Sequence, residues 1–222
     1  MVPVITETGD GSHTLYLKEI DEHYHSVHGA ISESMHIFIG CGLNYIDKKT
    51  IHIFEVGFGT GLNCLLTAIR GGETHKTIHY VSVDKYPVLP DILEKLNYGS
   101  IIKGAFPLYD AIIKSGWGTM NKINSGFMLS KYDHDATTGF PTQEFQFDLV
   151  YFDAFSPSKQ PAMWSPGIFL KIAEMTAPGG VLVTYSSKGD VRRALQSGGF
   201  STEKLPGPAG KREILRGIKK IQ

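Results

Sequence analysis

Four places in the chain set glycines or carboxylates where they could hold a ligand and act on it. The first is Glu55-Val-Gly57-Phe-Gly59-Thr-Gly61-Leu-Asn63. Glycines in a turn let the backbone pass close to a ligand where any Cβ would clash, and a helix that follows offers free N–H groups at its start. A dinucleotide site would space these glycines as GxGxxG to seat a pyrophosphate. Here the spacing is GxGxG with an acid in front, so Glu55 is expected to supply negative charge beside a cation. The second place is Asp84, about 25 residues on, where a carboxylate can accept both hydroxyls of a ribose. The third is Asp133-His134-Asp135-Ala136. A carboxylate in that loop, Asp135 in preference to Asp133, could accept a hydrogen bond from an adenine amino group. The fourth is Asp153, in Asp153-Ala-Phe155-Ser-Pro157-Ser-Lys159-Gln-Pro161-Ala-Met163-Trp164. An aspartate closing an apolar strand is costly unless it is hydrogen-bonded or has work to do. It could hold a substrate amine and take its proton, which matters because an ammonium has no lone pair with which to attack. Pro157, Pro161 and Trp164 would give such a pocket a stiff, partly apolar rim.

These residues need a scaffold that brings strand ends together, and the pattern of the chain supplies one. Ile51–Val56, Ile78–Val83 and Phe147–Phe152 are short apolar runs rich in β-branched and aromatic residues. They end at Gly57, Asp84 and Asp153 in turn. Phe127–Leu129 starts a weaker strand and Val181–Tyr185 a further one. Helical periodicity fills the intervals: Gly61–Arg70, Asp91–Leu96, Pro107–Lys114, Ser165–Met175 and Asp190–Ser197. Ser165 is expected as an N-cap with Pro166 at the first helical position. Pro178-Gly179-Gly180 and Gly198-Gly199 are expected to end their helices, and Glu203–Ile218 reads as a hairpin. Strand and helix in alternation predict an α/β fold with a parallel sheet covered on both faces. The ligand then lies beyond the carboxyl ends of the strands, at the point where strand order reverses. The expectation is a Rossmann-like, mostly parallel seven-stranded sheet with a C-terminal antiparallel hairpin. Residues 51–222 would form that domain, and residues 1–50, with a helix-like stretch from Ser32 to Ile39, an extension packed near the active site.

Bulk properties narrow the field further. With 222 residues, the chain is long enough for one domain with its own core. Lys plus Arg equals Asp plus Glu, so net charge argues neither for nor against a nucleic acid. The distribution is uneven: from Lys188 to Gln222 nine basic residues face three acidic ones, a possible footprint for a polyanion. Cys41 and Cys64 are too few and too far apart for a zinc site or a disulfide framework, and the nine histidines show no metal-ligand spacing, so no metal is expected. The opening residues lack a basic segment followed by an apolar run, which predicts no signal peptide, and the chain is expected in the cytoplasm.

A GxGxG turn with an acid before it is the pattern of methyltransferases that use S-adenosylmethionine. Beyond that turn, EVGFGTGLN, DLVYFDAFSPSKQPAMW, the N-terminal DGSHTLYLKEIDEHYHSVHGAISES and the C-terminal KREILRG together resemble the methyltransferase half of the MnmC family of bifunctional tRNA-modifying enzymes. The resemblance runs from Glu7 to Gly217. It implies transfer of a methyl group from S-adenosylmethionine to the amine of 5-aminomethyl-2-thiouridine at the tRNA wobble position, giving 5-methylaminomethyl-2-thiouridine. It also implies that Glu55, Gly57, Gly59, Gly61 and Asn63 line the methionine side, that Asp84 holds the ribose and Asp135 the adenine, and that Asp153 stands at the methyl group and the amine. Tyr24, His25 and Ser26 would close over the site. Lys159, Arg192, Arg193, Lys211 and Arg212 are candidates for phosphates around the anticodon loop. The family's FAD-dependent oxidase half has no room in 222 residues, so a stand-alone form is expected, taking its aminomethyl substrate from upstream wobble-uridine modification enzymes.

Three other readings share parts of this pattern. An aminopropyltransferase has the same turn and an Asp after the fourth strand, yet the basic end argues against a polycationic substrate. A non-catalytic RNA-binding module would be expected to have lost at least one of the glycine turn, Asp84 and Asp153. An NAD-dependent oxidoreductase wants GxGxxG. Fold alone separates none of them.

Overall fold

In the computed structural model, which describes residues 3–221, the apolar runs become the buried strands of one large sheet. Phe147–Phe152 is buried at all six positions, as expected of a strand covered on both faces. The strands are β1 (Val4–Glu7), β2 (His13–Leu17), β3 (Glu22–His23), β4 (Thr50–Val56), β5 (Thr77–Asp84), β6 (Met120–Asn124), β7 (Phe127–Asp133), β8 (Phe147–Phe152), β9 (Thr176–Thr184), β10 (Phe200–Pro206) and β11 (Glu213–Lys219). The helices are α1 (Ala30–Ser34), α2 (Leu62–Glu73), α3 (Pro90–Leu93), α4 (Tyr98–Ile101), α5 (Phe106–Lys114), α6 (Pro166–Met175) and α7 (Gly189–Ser197).

Strands β4 to β11 form an eight-stranded sheet in the order β10-β11-β9-β8-β4-β5-β7-β6. Five of them, β9-β8-β4-β5-β7, run parallel, while β6, β10 and β11 pair antiparallel. The chain moves outward from β4 through β5 to β7 and then returns to place β8 on the other side of β4, so strand order reverses between β4 and β8. Side chains alternate about the sheet. Ile51 and Ile53 of β4 pack with Leu62 and Leu65 of α2 and Ile112 of α5, while Phe54 and Val56 pack with Phe169 of α6 and Leu195 of α7.

The sheet has one more strand than the seven expected. The added one is β6, which pairs with β7 across a bulge near Lys122. Its exposed and half-buried positions alternate with no buried residue, so it left no apolar run to read. Strand β7 extends to Asp133, beyond the short stretch expected, because Lys131 fills a core position: it is 1% exposed and its Nζ donates to the Ile112 carbonyl at 3.0 Å. Pro178-Gly179-Gly180 does not end α6. That helix stops at Met175, and the three residues lie inside β9, where the register against β8 shifts between Phe147 and Leu149. Ser165 does occupy the N-cap of α6 with Pro166 next, but its side chain makes no capping hydrogen bond. The Ser32–Ile39 segment is helical in two parts, α1 and then a π-helical turn over Met35–Gly40.

The first residues form a small antiparallel sheet, β1-β2-β3, hydrogen-bonded on two sides to segments that connect the elements of the larger one. The Asn97 side chain accepts from His13 N and donates to Gly11 O, both at 2.8 Å. On the other side Glu22 accepts from the backbone N and the hydroxyl of Ser156, each at 2.8 Å. Within this unit the Asp10 carboxylate gathers the hydroxyls of Thr8, Ser12 and Ser32 with the backbone N–H groups of Ser12 and Ser32. Those hydrogen bonds hold its acid well below the usual carboxylate range against the opposing effect of burial. Replacing Asp10 with alanine is expected to destabilise the protein by about 1–2 kcal/mol and to speed amide hydrogen exchange most in β1, β2 and α1, which exchange mass spectrometry will localise.

Candidate active site

A cavity of about 910 Å³ opens where β4, β5 and β8 end, at the reversal of strand order. Its floor includes Gly57, Gly59, Asn63, Asp84 and Asp153, and residues of the N-terminal segment, Tyr24, His25, Ser26 and Glu33, form another wall.

Gly57 is where the close approach is tightest. Its φ is 92°, and a Cβ there would lie 2.6 Å from the Asp153 carbonyl oxygen, so only glycine lets the ends of β4 and β8 come this near. At Gly59 the backbone N–H donates to Asp84 Oδ2 at 2.9 Å. The other Asp84 oxygen accepts from Tyr86 N at 2.9 Å. Each oxygen keeps a further lone pair, and the carboxylate lies on the cavity wall. Burial pushes its acid upward, with the two N–H donors opposing. A carboxylate so held, beside backbone bare of side chains, fits a ribose and the chain that leads from it.

Asp153 lies at the opposite side of this floor. Asn63, in the first turn of α2, donates from Nδ2 to Asp153 Oδ2 at 2.9 Å. Burial and then the Glu33 charge raise the acid to about 7, while the Asn63 bond and the Lys211 ammonium oppose the rise. The loop that follows is held residue by residue. Tyr185 donates its hydroxyl to Ala154 O at 2.9 Å, the Trp164 indole donates to Phe155 O at 2.8 Å, and Glu22 takes Ser156. Tyr24 meets Phe155 edge-on, ring centroids 5.0 Å apart.

Other expected residues fall differently. Glu55 does not reach the cavity. It shares the face of β4 that carries Ile51 and Ile53, is fully buried, and accepts from Ser82 Oγ at 2.8 Å. Burial pushes it up to about 8, so it is mostly protonated at neutral pH and supplies little negative charge. Gly61 also stands outside the lining, as the N-cap of α2 against Phe58. Of the two loop carboxylates, Asp135 lines the cavity and Asp133 is exposed away from it. Asp135 is already engaged, with Lys85 Nζ at 2.7 Å and Thr137, and those partners bring it down to about 2.

His25 is on the wall, between Thr14 and Thr60, and burial lowers it to about 4, so it is neutral and offers a phosphate no charge. Lys159 borders the cavity. Lys211 does too, but it points inward to Glu33 at 2.7 Å rather than out to solvent. Arg192, Arg193 and Arg212 are exposed outside the cavity, and Arg193 is paired with Asp190. Pairing also engages Lys204 with Glu213 and Arg216 with Glu203, so the basic end is a weaker footprint than its composition suggests. Glu22, Glu33 and Tyr185 line the cavity without having been singled out. Tyr185 follows β9 directly and could have been found by inspecting every strand end. Glu22 and Glu33 come from the N-terminal segment, to which that rule does not extend.

Comparison with known proteins agrees with this architecture. A family model described as S-adenosyl-L-methionine-dependent methyltransferase matches residues 116–220. The chain is 35% identical over 211 residues to the tRNA 5-methylaminomethyl-2-thiouridine biosynthesis bifunctional protein MnmC of Burkholderia thailandensis, covering 87% of this chain and 32% of that protein. It is 32% identical to MnmC of Pseudomonas fluorescens over 210 residues, covering 89% and 32%. Thus it spans about one third of the length of the curated relatives it matches. Among solved structures, MnmC2 from Aquifex aeolicus superposes with a TM-score of 0.79 at 26% identity, over 100% of this chain and 73% of that one. A methyltransferase from Pyrococcus furiosus shares the fold, with a TM-score of 0.50 at 16% identity over 81% and 80%. The sheet order, the cleft at the strand ends and these matches give the chain the fold of the class I S-adenosylmethionine-dependent methyltransferases. Its relatives by sequence are the MnmC proteins, over the third of their length that it spans.

The protonated state of Glu55 gives a sign that can be checked. A buried carboxyl raised to about 8 must take up a proton on folding wherever the unfolded chain is ionised. Its cost is therefore absent below the unfolded value and grows as pH rises toward 8. Glu55→Gln keeps an acceptor for Ser82 and is expected to be more stable than wild type at pH 8, with the difference shrinking toward pH 4.5. Urea unfolding across that range measures it.

Proposed function

We propose that the chain methylates the primary amine of a 5-aminomethyluridine, with or without the 2-thio group, at the wobble position of tRNA. The observation that carries the reading is Asp153: a carboxylate on the cavity wall, fixed by Asn63 and brought to about 7, where it can exchange a proton with an amine at neutral pH. The names of the MnmC relatives and of the Aquifex structure supply the substrate class.

In this reading Gly57, Gly59, Asn63 and Asp84 hold the cofactor, Asp135 takes the adenine end, and Glu55 and Gly61 back that wall from behind. The first fifty residues act as an extension that closes one side of the cleft. S-adenosylmethionine, when bound, supplies an electrophilic methyl group on a sulfonium, and the sulfur keeps the bonding pair as the amine nitrogen takes the carbon. Asp153 accepts a proton from the substrate ammonium, which frees the nitrogen lone pair. Tyr24 and Phe155 offer aromatic surface to a base, and the pinned Ala154–Ser156 loop holds the nitrogen's approach in one direction. Lys159, Arg192 and Arg212 are the cations left to meet phosphates around the anticodon loop; Lys211 and Arg193 are taken up by their own pairs. A tRNA substrate places the reaction in the cytoplasm.

The test is transfer of labelled methyl from S-adenosylmethionine into tRNA from a strain that lacks this final methylation, followed by nucleoside analysis. Label in 5-methylaminomethyl-2-thiouridine is the expected result; cofactor binding with no labelled nucleoside would refute the substrate. Asp153→Asn is expected to fold and to lose activity by about 10²–10⁴-fold. Since the wild-type carboxylate must be ionised to accept a proton, kcat/KM should rise through pH 7, and that limb should vanish in the variant. Charge reversal at Arg192 and Arg212 is expected to weaken tRNA binding and flatten its salt dependence, and titrations at several salt concentrations will show whether it does.

A further inference from the structure

Glu33 and Lys211 meet on the cavity wall from opposite parts of the chain. Glu33 lies in α1 and Lys211 in the turn between β10 and β11. The glutamate is 8% exposed, and its Oε2 accepts from Ser26 N at 2.8 Å. Its other oxygen is buried and faces the Lys211 ammonium at 2.7 Å. That ammonium also lies 5.2 Å from the centre of the Tyr185 ring, whose hydroxyl holds Ala154. Both residues line the same cavity as Asp153. Taking a charged pair out of water is costly, and an apolar pair of similar size often serves stability as well or better. A stabilising role alone therefore does not account for opposite charges held at a substrate wall.

We propose that Glu33 and Lys211 are positioning residues for methyl transfer, a fixed pair of opposite charges that acts on the substrate amine through Asp153. The inference rests on the tRNA methyltransferase reading for its substrate and, for the coupling, on an ion pair that lines the Asp153 cavity and on Tyr185, which lies under Lys211 and holds Ala154 next to Asp153. Asn63 from α2 bonds the Asp153 carboxylate, and the groups that interact with its charge through space are Glu33 from α1, Lys211 from the β10–β11 turn, Glu55 from β4 and Tyr185 after β9. Glu55 is mostly protonated at neutral pH and the Tyr185 hydroxyl is held neutral by burial. Glu33 and Lys211 are the two whose charges act on Asp153 in opposite senses, the glutamate favouring its protonated form and the lysine its ionised form. Together they set the range in which Asp153 can take one proton from an ammonium and leave a neutral amine.

The experiment follows the Asp153 carboxyl directly by ¹³C NMR in the protein labelled at aspartate, with the signal assigned by its loss in Asp153→Asn. No cofactor or tRNA is needed for this readout. Glu33→Gln is expected to lower the titration midpoint by about one pH unit and Lys211→Met to raise it by about one. The double variant should return near wild type, and Lys211→Arg should stay there. The acid limb of kcat/KM should move with each midpoint. Loss of packing alone would not shift the two single variants in opposite directions. Midpoints that stay at the wild-type value in both would overturn the proposal. If Glu33→Gln does not fold, the Lys211→Met midpoint decides. Shifted midpoints in the two variants, together with a wild-type protein that transfers no methyl to tRNA, would refute the tRNA reading and leave the coupling to Asp153 standing.

Discussion

The backbone of Gly57 runs so close to the Asp153 carbonyl that no side chain fits between them, and the Asn63 amide then bonds the Asp153 carboxylate. These two contacts join the end of β4, the start of α2 and the end of β8, the three segments that make the floor of the cleft. Everything with chemical potential in the site is arranged around that junction. Asp84 reaches it through Gly59 N, Tyr185 through Ala154 O, and Glu55 through β4, the strand that ends just before Gly57. A bulkier residue at Gly57 would have to separate β4 from β8, and every other contact would move with them.

The loop after Asp153 shows how a segment without regular structure is made rigid. Three successive residues are each held by a different segment: Ala154 by the tyrosine after β9, Phe155 by the indole of Trp164 just before α6, and Ser156 by a glutamate of the N-terminal sheet. Sites on loops are ordinarily less precise than sites on strands, and here hydrogen bonds from three separate segments limit that disadvantage. The small N-terminal sheet is in this sense part of the site's framework, although it contributes no strand to the central one.

Much of this was legible in the sequence because it depends on local rules. Apolar runs ending at glycine or aspartate located β4, β5 and β8 within a residue or two, and the ends of those strands gave Gly57, Asp84 and Asp153. The misreadings have physical causes. Glu55 was placed by its nearness to the glycines, but alternation about the strand turns it toward α2, as its parity with Ile51 and Ile53 could have indicated. Lys211 was read as a surface cation from the composition of its neighbourhood, whereas its partner Glu33 lies near the other end of the chain. Strand β6 carries no apolar signal, and β7 hides a buried lysine in a core position. Pairings between distant residues and cores that tolerate a charge are set by tertiary packing, which spacing along a chain does not encode.

Contacts between the two ends of the chain also fix when the cleft can exist at all. Besides Glu33 and Lys211, Arg216 donates to Cys41 O, 175 residues away, and His36 meets Pro206 O, 170 residues away. A ribosome releases the β4–β5–β7 half long before it releases the hairpin that carries Lys211 and Arg216. The nascent protein can assemble its glycine turn and Asp84 early, while the wall that holds Glu33 in place waits for the last turn of synthesis. Loop closures of that length are slow to form, so the Gly57–Asp84 side of the cleft is built first and the Glu33–Lys211 side last.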